Sequence, residues 1–574
     1  MINQDEIEAS LEQRADYIPI AKLVSETAGG SQLFKAAQKA LLNSSLRTIV
    51  GPRGCGKTHL MRYAWQQCKD EVTKPFAVYA SFNRYYRLEP LLVSRASPPH
   101  EFHAWALGVI AVATLYSFEA FSALTNSANT KADDLFFVGR TTLESLISSL
   151  EKNRPLTADQ EVIADTLSIN SIQNLVDTCC TTLGRKRTVL FLDDAALTLT
   201  PIYMSEILDI LSALKSSTIA PKASVYPGTT EYSSKFHIGQ DAMSISVWPS
   251  TESENYAADM DDIAKNRISD FEQIPSEAVV LIRFAAFGIS RAYLTMLFEF
   301  KESRKSKNIQ QAVNSVIESH MNARIAEYRS LGQKVPKFTS LIIAGENVLQ
   351  GMVSEIKFAN ASSSLLQKVI GIDSIGISPI VKRMLQLLIE AGLIYDIGEV
   401  KHGTPQRIYK RYVPHGALLL RHRAIVAGDS GGALKTLGDA LSKKTQKHPI
   451  RRQINRLVAN ASLIDELKFS LPPCPKCNSP RLSETQKFCA GCGSQLIESS
   501  TFEICLNITI VDVPGLTEWQ LAKIKTELPI LKTIRDYLAM QDPVSELFSV
   551  YGFGPRRSAK IVDILQSFVD DYLS

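Results

Sequence analysis

The period of the apolar positions changes several times along this 574-residue chain. LRTIV (46–50) is a short β-rich run, and HLMRYAWQQC (59–68) has the spacing of a helix. AWALGVIAVATLYSF (104–118) is apolar and uncharged throughout, but shorter than the roughly 20 residues that span a bilayer. It predicts a helix buried in a protein core rather than a membrane segment. Val189 to Leu192 are apolar without interruption, the pattern of a strand buried on both faces, and they run into Asp193-Asp194. ASVYPGTTEY (223–232) predicts another strand, ending at Gly228-Thr229-Thr230. LIRFAAFGISRAYLTMLFEF (281–300) is helical about a central Gly-Ile-Ser-Arg, which sets Arg291 at a helix start, and 306–332 reads as an amphipathic helix. Residues 379–391 predict a helix closed by Gly392, followed by a strand (LIYDIG), a turn (KHGTPQ) and a second strand (RIYKRYV). Residues 542–573 predict two helices around Tyr551-Gly-Phe-Gly-Pro555.

A chain of this length exceeds one core, and two to four domains are expected. Its 45% hydrophobic and 21% charged content is that of a folded protein. The net charge of +4 makes any nucleic-acid surface a local one. MINQDEIEAS lacks the basic start and apolar stretch of a secretory signal, so a cytoplasmic location is expected. Of nine cysteines, Cys55, Cys68, Cys179, Cys180 and Cys505 have no framework spacing, whereas the other four are clustered. That distribution points to reduced thiols and a metal site, not disulfides.

Gly51-Pro-Arg-Gly54-Cys-Gly56-Lys57-Thr58 matches G-x-x-x-x-G-K-[ST] between a strand and a helix, the context a phosphate-binding loop requires. Such glycines let backbone N–H groups approach phosphates, and the helix N-terminus adds positive potential. ATP is the expected ligand, with Lys57 on the β/γ-phosphates and Thr58 on Mg²⁺. Asp193 is the second element such a site needs, for the metal, and Asp194 is placed for the attacking water. An Asp at that second position suits slow hydrolysis.

In this order, a P-loop, an Asp-Asp strand, a strand ending in Gly-Thr and a helix with Gly-x-x-Arg resemble an AAA+ ATPase. The likeness is to the origin-recognition, replication-initiator branch, with the related STAND signalling ATPases close behind, and it covers about residues 15–330. It implies a sensor 1 at Thr229 or Thr230 and a sensor 2 at Arg291. The long path from Lys57 to Asp193 implies a helical insertion at about 95–160. No clear arginine finger follows; Lys235, Arg267 and Arg283 are the candidates.

The helix and two strands after the lid resemble a winged helix, which that family carries in this place. As a DNA reader it would use Lys382 and Arg383 on its helix and Lys401, His402, Arg407, Lys410 and Arg411 on its wing. Used for protein contacts, it would need none of them. KKTQKHPIRRQINR (443–456) holds six cations, Arg451 and Arg452 among them, and no acid. Such a run is either a phosphate-binding segment or a solvated face. Cys474, Cys477, Cys489 and Cys492 form two C-x2-C knuckles, the donor set of a closed structural Zn²⁺ site, and resemble a zinc ribbon. Around Gly552 and Gly554 the chain resembles a helix-hairpin-helix, whose backbone amides hold a DNA phosphate with charge added by Arg556, Arg557 and Lys560. VPGLTEWQLAKI (513–524) resembles a degenerate copy.

The expected architecture is multidomain. An α/β P-loop AAA+ core (1–240) is completed, with a helical lid, by 241–335. There follow a winged helix (336–425), a basic linker (426–470), a zinc ribbon (471–498) and an α-helical helix-hairpin-helix region (499–574). The expected function is a DNA-binding ATPase, with DNA and a homo-oligomer or effector protein as partners and no membrane. Two alternatives stay open: a STAND-like signalling ATPase in phage defence, and a DNA-bound scaffold that holds ATP.

Overall fold

A computed structural model describes residues 18–573 apart from 28, 96, 124–130, 197–200, 228–241, 363–365, 376, 405–406, 426–433, 442–449, 472, 475, 482–485, 487, 495, 497–500 and 541. Five strands, β1 (Arg47–Val50), β2 (Phe76–Ser81), β3 (Thr188–Ala196), β4 (Ile219–Val225) and β5 (Met243–Ser246), form an all-parallel sheet in the order β2-β3-β4-β1-β5. Helices on both faces of such a sheet demand near-continuous apolar strands, which FAVYAS and VLFL supply. β4 is buried at every position and starts at Ile219, earlier than its apolar pattern predicts. Pro221 and Lys222 hide its beginning, because neither belongs in a central strand. The Lys222 ammonium is satisfied by Asn43 O (2.9 Å), Asn43 Oδ1 (2.8 Å) and the Ser45 carbonyl. Burial pushes it down to about 7.

Between β2 and β3 lie the helices Pro98–Ser122, Arg140–Glu151, Ala158–Thr166 and Ile169–Thr182, of which the first two fall within the 95–160 range expected for an insertion and the last lies beyond it. Among the described residues Pro98–Ser122 alone is long and apolar enough to cross a membrane, yet most of it is buried inside the fold. It packs on β2 through Phe121 against Phe76, on Arg140–Glu151 through Trp105 against Glu151, and on the helix Pro201–Ala213 through Phe102 against Tyr203, as the buried-helix reading requires.

Three helices follow the sheet as a lid: Ser276–Ala286, Ser290–Ser303 and Ile309–Lys334. After Thr339–Ser362, the helix Pro379–Glu390 ends with Gly392 in the left-handed region (φ 68°). β7 (Ile394–His402) and β8 (Arg407–Pro414) then pair as an antiparallel hairpin. Two short strands extend this sheet: β6 (Ile370–Asp373), antiparallel to β8, and β9 (Ile450–Arg452), parallel to β6. Part of the expected basic linker is therefore strand. In the tail, Gly515 (φ 95°) and Gly552 (φ 91°) each turn the chain into a helix, Glu518–Glu527 and Pro555–Leu573.

The hairpin unit is docked on the core and lid. A side chain at Gly416 would meet Phe284 O at 2.2 Å, Tyr395 Oη donates to Trp248 O (3.1 Å), and Lys368 pairs with Glu252 (2.8 Å). His415 sits in this seam between Phe287 and His320 (ring centroids 4.7 and 5.7 Å) and accepts from Ala417 N at Nδ1. Burial holds His415 well below its usual range, His320 at about 4, and His59, on the helix after the P-loop, at about 3. With folded-state values depressed, the unfolded chain binds more protons below about pH 6.5, so this stability is present above that pH and is lost as pH falls toward 4. Denaturant midpoints are expected to drop between pH 7.5 and pH 5. His415→Phe should flatten that dependence, and an unchanged slope would count against the histidines.

Candidate nucleotide site and cysteine cluster

The chain leaves β1 at Val50, and Gly51 N donates to Val225 O (3.3 Å) at the end of the neighbouring β4. Gly54 and Gly56 adopt φ 89° and 84°, a region that costs side chains energy, and Gly56 caps the helix Lys57–Asp70. A side chain at Gly54 would also meet Ile289 Cγ2 at 3.0 Å and Arg291 Cβ at 3.2 Å. Lys57 is buried and folded back over the loop. Its Nζ donates to Gly51 O (2.6 Å) and Pro52 O (3.2 Å) and lies 4.2 Å from the Tyr226 ring centre. Burial lowers its pKa, opposed by Cys55, Asp194 and Asp193 and assisted by Arg291. The P-loop, the acidic pair and the lid arginine are thus within electrostatic reach of one ammonium. Thr58 follows in the first helical turn, half-buried.

Asp193 is fully buried in β3, opposite Ser81 at the end of β2. It accepts from Tyr79 Oη (2.9 Å), Ser224 Oγ and Asp194 N (3.1 Å). Asp194 sits in the left-handed region (φ 50°) where the β3–β4 register shifts, and its N–H also donates to Ser224 Oγ (2.8 Å). Bulges beside active sites re-aim side chains, and a non-glycine residue held there costs on the order of 1–3 kcal/mol. Arg291 N donates to Gly54 O (3.1 Å), so the lid helix Ser290–Ser303 begins directly on the P-loop. Thr229 and Thr230 lie outside the described residues, as does Lys235. Arg267 pairs with Glu26 (2.6 Å) and Arg283 with Asp261 (2.5 Å), each turned inward rather than outward as a finger.

The loop also touches the hairpin unit: a side chain at Gly392 would meet Ile289 Cδ1 at 3.3 Å and Pro52 Cβ at 3.7 Å. Gly288, beside it in the lid (φ 79°), has no room for a side chain against Pro249 O (2.3 Å).

The four clustered cysteines converge, their Sγ atoms all within 4.8 Å of one another. Cys477–Cys489 and Cys474–Cys492 are 3.5 and 3.6 Å apart, near the ~3.8 Å edge of a tetrahedron with Zn–S of about 2.3 Å. The two knuckles repeat one backbone pattern. Asn478 N donates to Cys474 O (2.8 Å) and Gly493 N to Cys489 O (2.9 Å), with Asn478 and Gly493 both left-handed. Cys474 N and Cys489 N donate to Ser479 O and Ser494 O in turn. The Ser494 hydroxyl, with the Cys477 and Lys476 amides, brings Cys474 down to about 6. The donor set fits a divalent metal of the zinc type.

The residues proposed for DNA separate. Lys382, Arg407, Arg556, Arg557 and Lys560 are exposed, as is Gly552, with Gly554 half-buried. Arg557 lies over the Trp519 ring (5.0 Å) and bonds Gly552 O (2.5 Å), which fixes the turn. Arg383 departs from the expectation: it is buried, bonded to Glu390 (2.6 Å) and stacked on Phe338, out of a phosphate's reach. Arg452 donates twice to Glu355 (3.0 and 2.7 Å), and half-buried Arg451 lies over Tyr409. Sequence reasoning missed Tyr79, Ser224 and Tyr226. A tyrosine in the apolar run before β3 and a serine late in β4 are its only traces in the chain.

No protein-family model and no curated protein matches this chain. Solved structures match it at low identity and low TM-score. The Walker-type ATPase paby2304 of Pyrococcus abyssi is 11% identical, with 68% of this chain and 95% of that one covered at a TM-score of 0.38. The Orc1 protein of Aeropyrum pernix, solved in complex with DNA, is 12% identical, with 71% and 91% covered at 0.29. The Orc2 protein of that organism, in ADPNP–ADP complexes, is 10% identical, with 75% and 98% covered at 0.26. The chain itself has an α/β core with a parallel sheet and a helical lid.

Proposed function

We propose that the chain is a DNA-binding ATPase whose nucleotide state sets how its C-terminal half engages DNA. ATP binds through the amides of residues 51–58 and Lys57, while Thr58 and Asp193 hold Mg²⁺, which shields phosphate charge. Asp194, fixed by the bulge, orients water, and Arg291 with Thr229 or Thr230 senses the γ-phosphate. The observation that carries the coupling is the contact of Pro52 with Gly392 beside Ile289. Lys57 bonds the carbonyls of Gly51 and Pro52, so drawing its ammonium to a phosphate frees the loop residue that lies beside Gly392, two residues before Gly54, where the lid helix begins. On this reading the hairpin unit is a winged helix, the cysteine cluster a zinc ribbon and the tail a helix-hairpin-helix that contacts backbone phosphates.

Fluorescence anisotropy of duplex DNA with ATP, ADP or no nucleotide tests this. Affinity is expected to change with nucleotide. Arg556→Glu with Arg557→Glu should weaken binding at least about tenfold and flatten its salt dependence. Affinity indifferent to nucleotide would sink the coupling. The second reading, a scaffold that holds ATP without turnover, is supported by the inward pairing of Arg267 and Arg283. Recovery of bound ATP intact, with no phosphate release, would favour it.

A further inference from the structure

A cleft of about 940 Å³ opens on the sheet edge at β2, away from the P-loop, within reach of a small-molecule ligand's size. Five parts of the chain build it: the helix Ile20–Ser25 (Ile20), the helix after the P-loop (Arg62, Trp65), the end of β2 with the turn beyond it (Tyr79, Arg84), the insertion helices (Trp105, Tyr116) and, from the tail, Gln566. Its polar groups are unevenly charged. Arg62, Arg84, Arg87 and Lys152 face only Glu144 and Glu151. Glu151 is shared by Arg84 (3.7 Å), Arg87 (3.5 Å) and Trp105 Nε1 (3.3 Å), and Glu144 accepts from the Tyr116 hydroxyl (2.9 Å), so the lining keeps an excess of positive charge. The Ser81 hydroxyl is buried in the lining with no hydrogen-bond partner among the described residues.

We infer that this cleft binds a nucleoside phosphate and reports its presence to the ATP site. The half-buried Trp65 indole and Tyr79 phenol suit a planar base, and guanidinium groups suit phosphate, to which they donate in parallel pairs. The link to the ATP site is direct. Tyr79 lines the cleft and donates its hydroxyl to Asp193 (2.9 Å), while Arg62 and Trp65 stand on the helix that begins with Lys57 and Thr58. A ligand stacking on Tyr79 moves its ring, and with it the hydroxyl that donates to Asp193. This coupling rests on the assignment of ATP to Lys57 and Asp193; the binding does not. The ligand is a free nucleotide or the terminal nucleotide of a strand.

Binding is tested in the full chain carrying Lys57→Ala, which silences the P-loop. Tryptophan emission and calorimetry follow titration with each ribonucleoside monophosphate, a 5′-phosphorylated dinucleotide and, as control, inorganic phosphate. The expected result is saturable one-site binding of a nucleotide probe, weakened about tenfold or more by Arg84→Glu with Lys152→Glu, both exposed positions. Preference for monophosphates assigns the free ligand, and preference for the dinucleotide assigns the strand end. No saturable binding by any nucleotide probe, or binding indifferent to the charge reversal, overturns the site. In the chain with Lys57 intact, the bound nucleotide should shift ATP affinity, and Tyr79→Phe should abolish that shift while cleft binding persists. A shift that survives Tyr79→Phe overturns the coupling alone.

Discussion

Replacing Lys57 with Ala is expected to weaken ATP binding by about a hundredfold or more and to erase any dependence of DNA affinity on ATP. The size follows from what the ammonium does. Hydrogen bonds to charged groups contribute about 1.5–3 kcal/mol each, and Lys57 is placed to make two, so the loss is roughly 3 kcal/mol or more. The fold should tolerate the change, since the partners Lys57 leaves behind are two loop carbonyls and an aromatic face. Calorimetry with ATP, beside the melting temperature of the variant, checks both halves. Near-normal ATP affinity in a folded variant would remove Lys57 from the site and the coupling argument with it.

Removing metal from the cysteine cluster is expected to unfold residues 471–498 and leave the rest of the chain intact. Structural zinc binds its peptides with about 10–16 kcal/mol near neutral pH, more than so short a segment can recover from its own apolar contacts. The buried thiols of Cys474 and Cys489 stand apart from the continuous apolar core that joins sheet, lid, hairpin unit and tail. The expected yield is about one zinc per chain, released to a chelator under reducing conditions. Proteolysis should then cut within the segment while the main thermal transition holds. Cys474→Ser with Cys489→Ser should behave like the chelated chain. A metal-free preparation with unchanged proteolysis would show the knuckles closing on their own backbone bonds.

What could be read in the chain was whatever lies close together in it. The P-loop, the Asp193-Asp194 pair, the helix start at Arg291 and the two cysteine knuckles are each contiguous, and their side chains follow from strand, turn and helix geometry. Their partners are distant. Tyr79 and Asp193 are separated by 114 residues, and Cys55 meets the Gly288 carbonyl across 233. No local period marks such a pairing. Other elements were masked by residues that contradict their surroundings. Pro221 and Lys222 interrupt the apolar pattern of β4, yet a carbonyl cage at Asn43 and Ser45 makes the lysine tolerable. β9 is hidden in a basic run, since Arg451 and Arg452 read as solvated charge until Glu355 and Tyr409 are brought beside them. Arg383 misled for the converse reason: a cation on an amphipathic helix reads as surface, and only Glu390, later on that helix, turns it inward.

The contact between Arg87 and Gln566 closes across 479 residues, and it sets a timetable for synthesis. At 5–20 residues per second, the ribosome delivers the tail roughly half a minute to a minute and a half after the segment it must meet. The P-loop, both aspartates and the lid emerge long before that. A chain cut short by translation or by a protease near the tail would retain its P-loop and both aspartates and leave the cleft at β2 without its last wall.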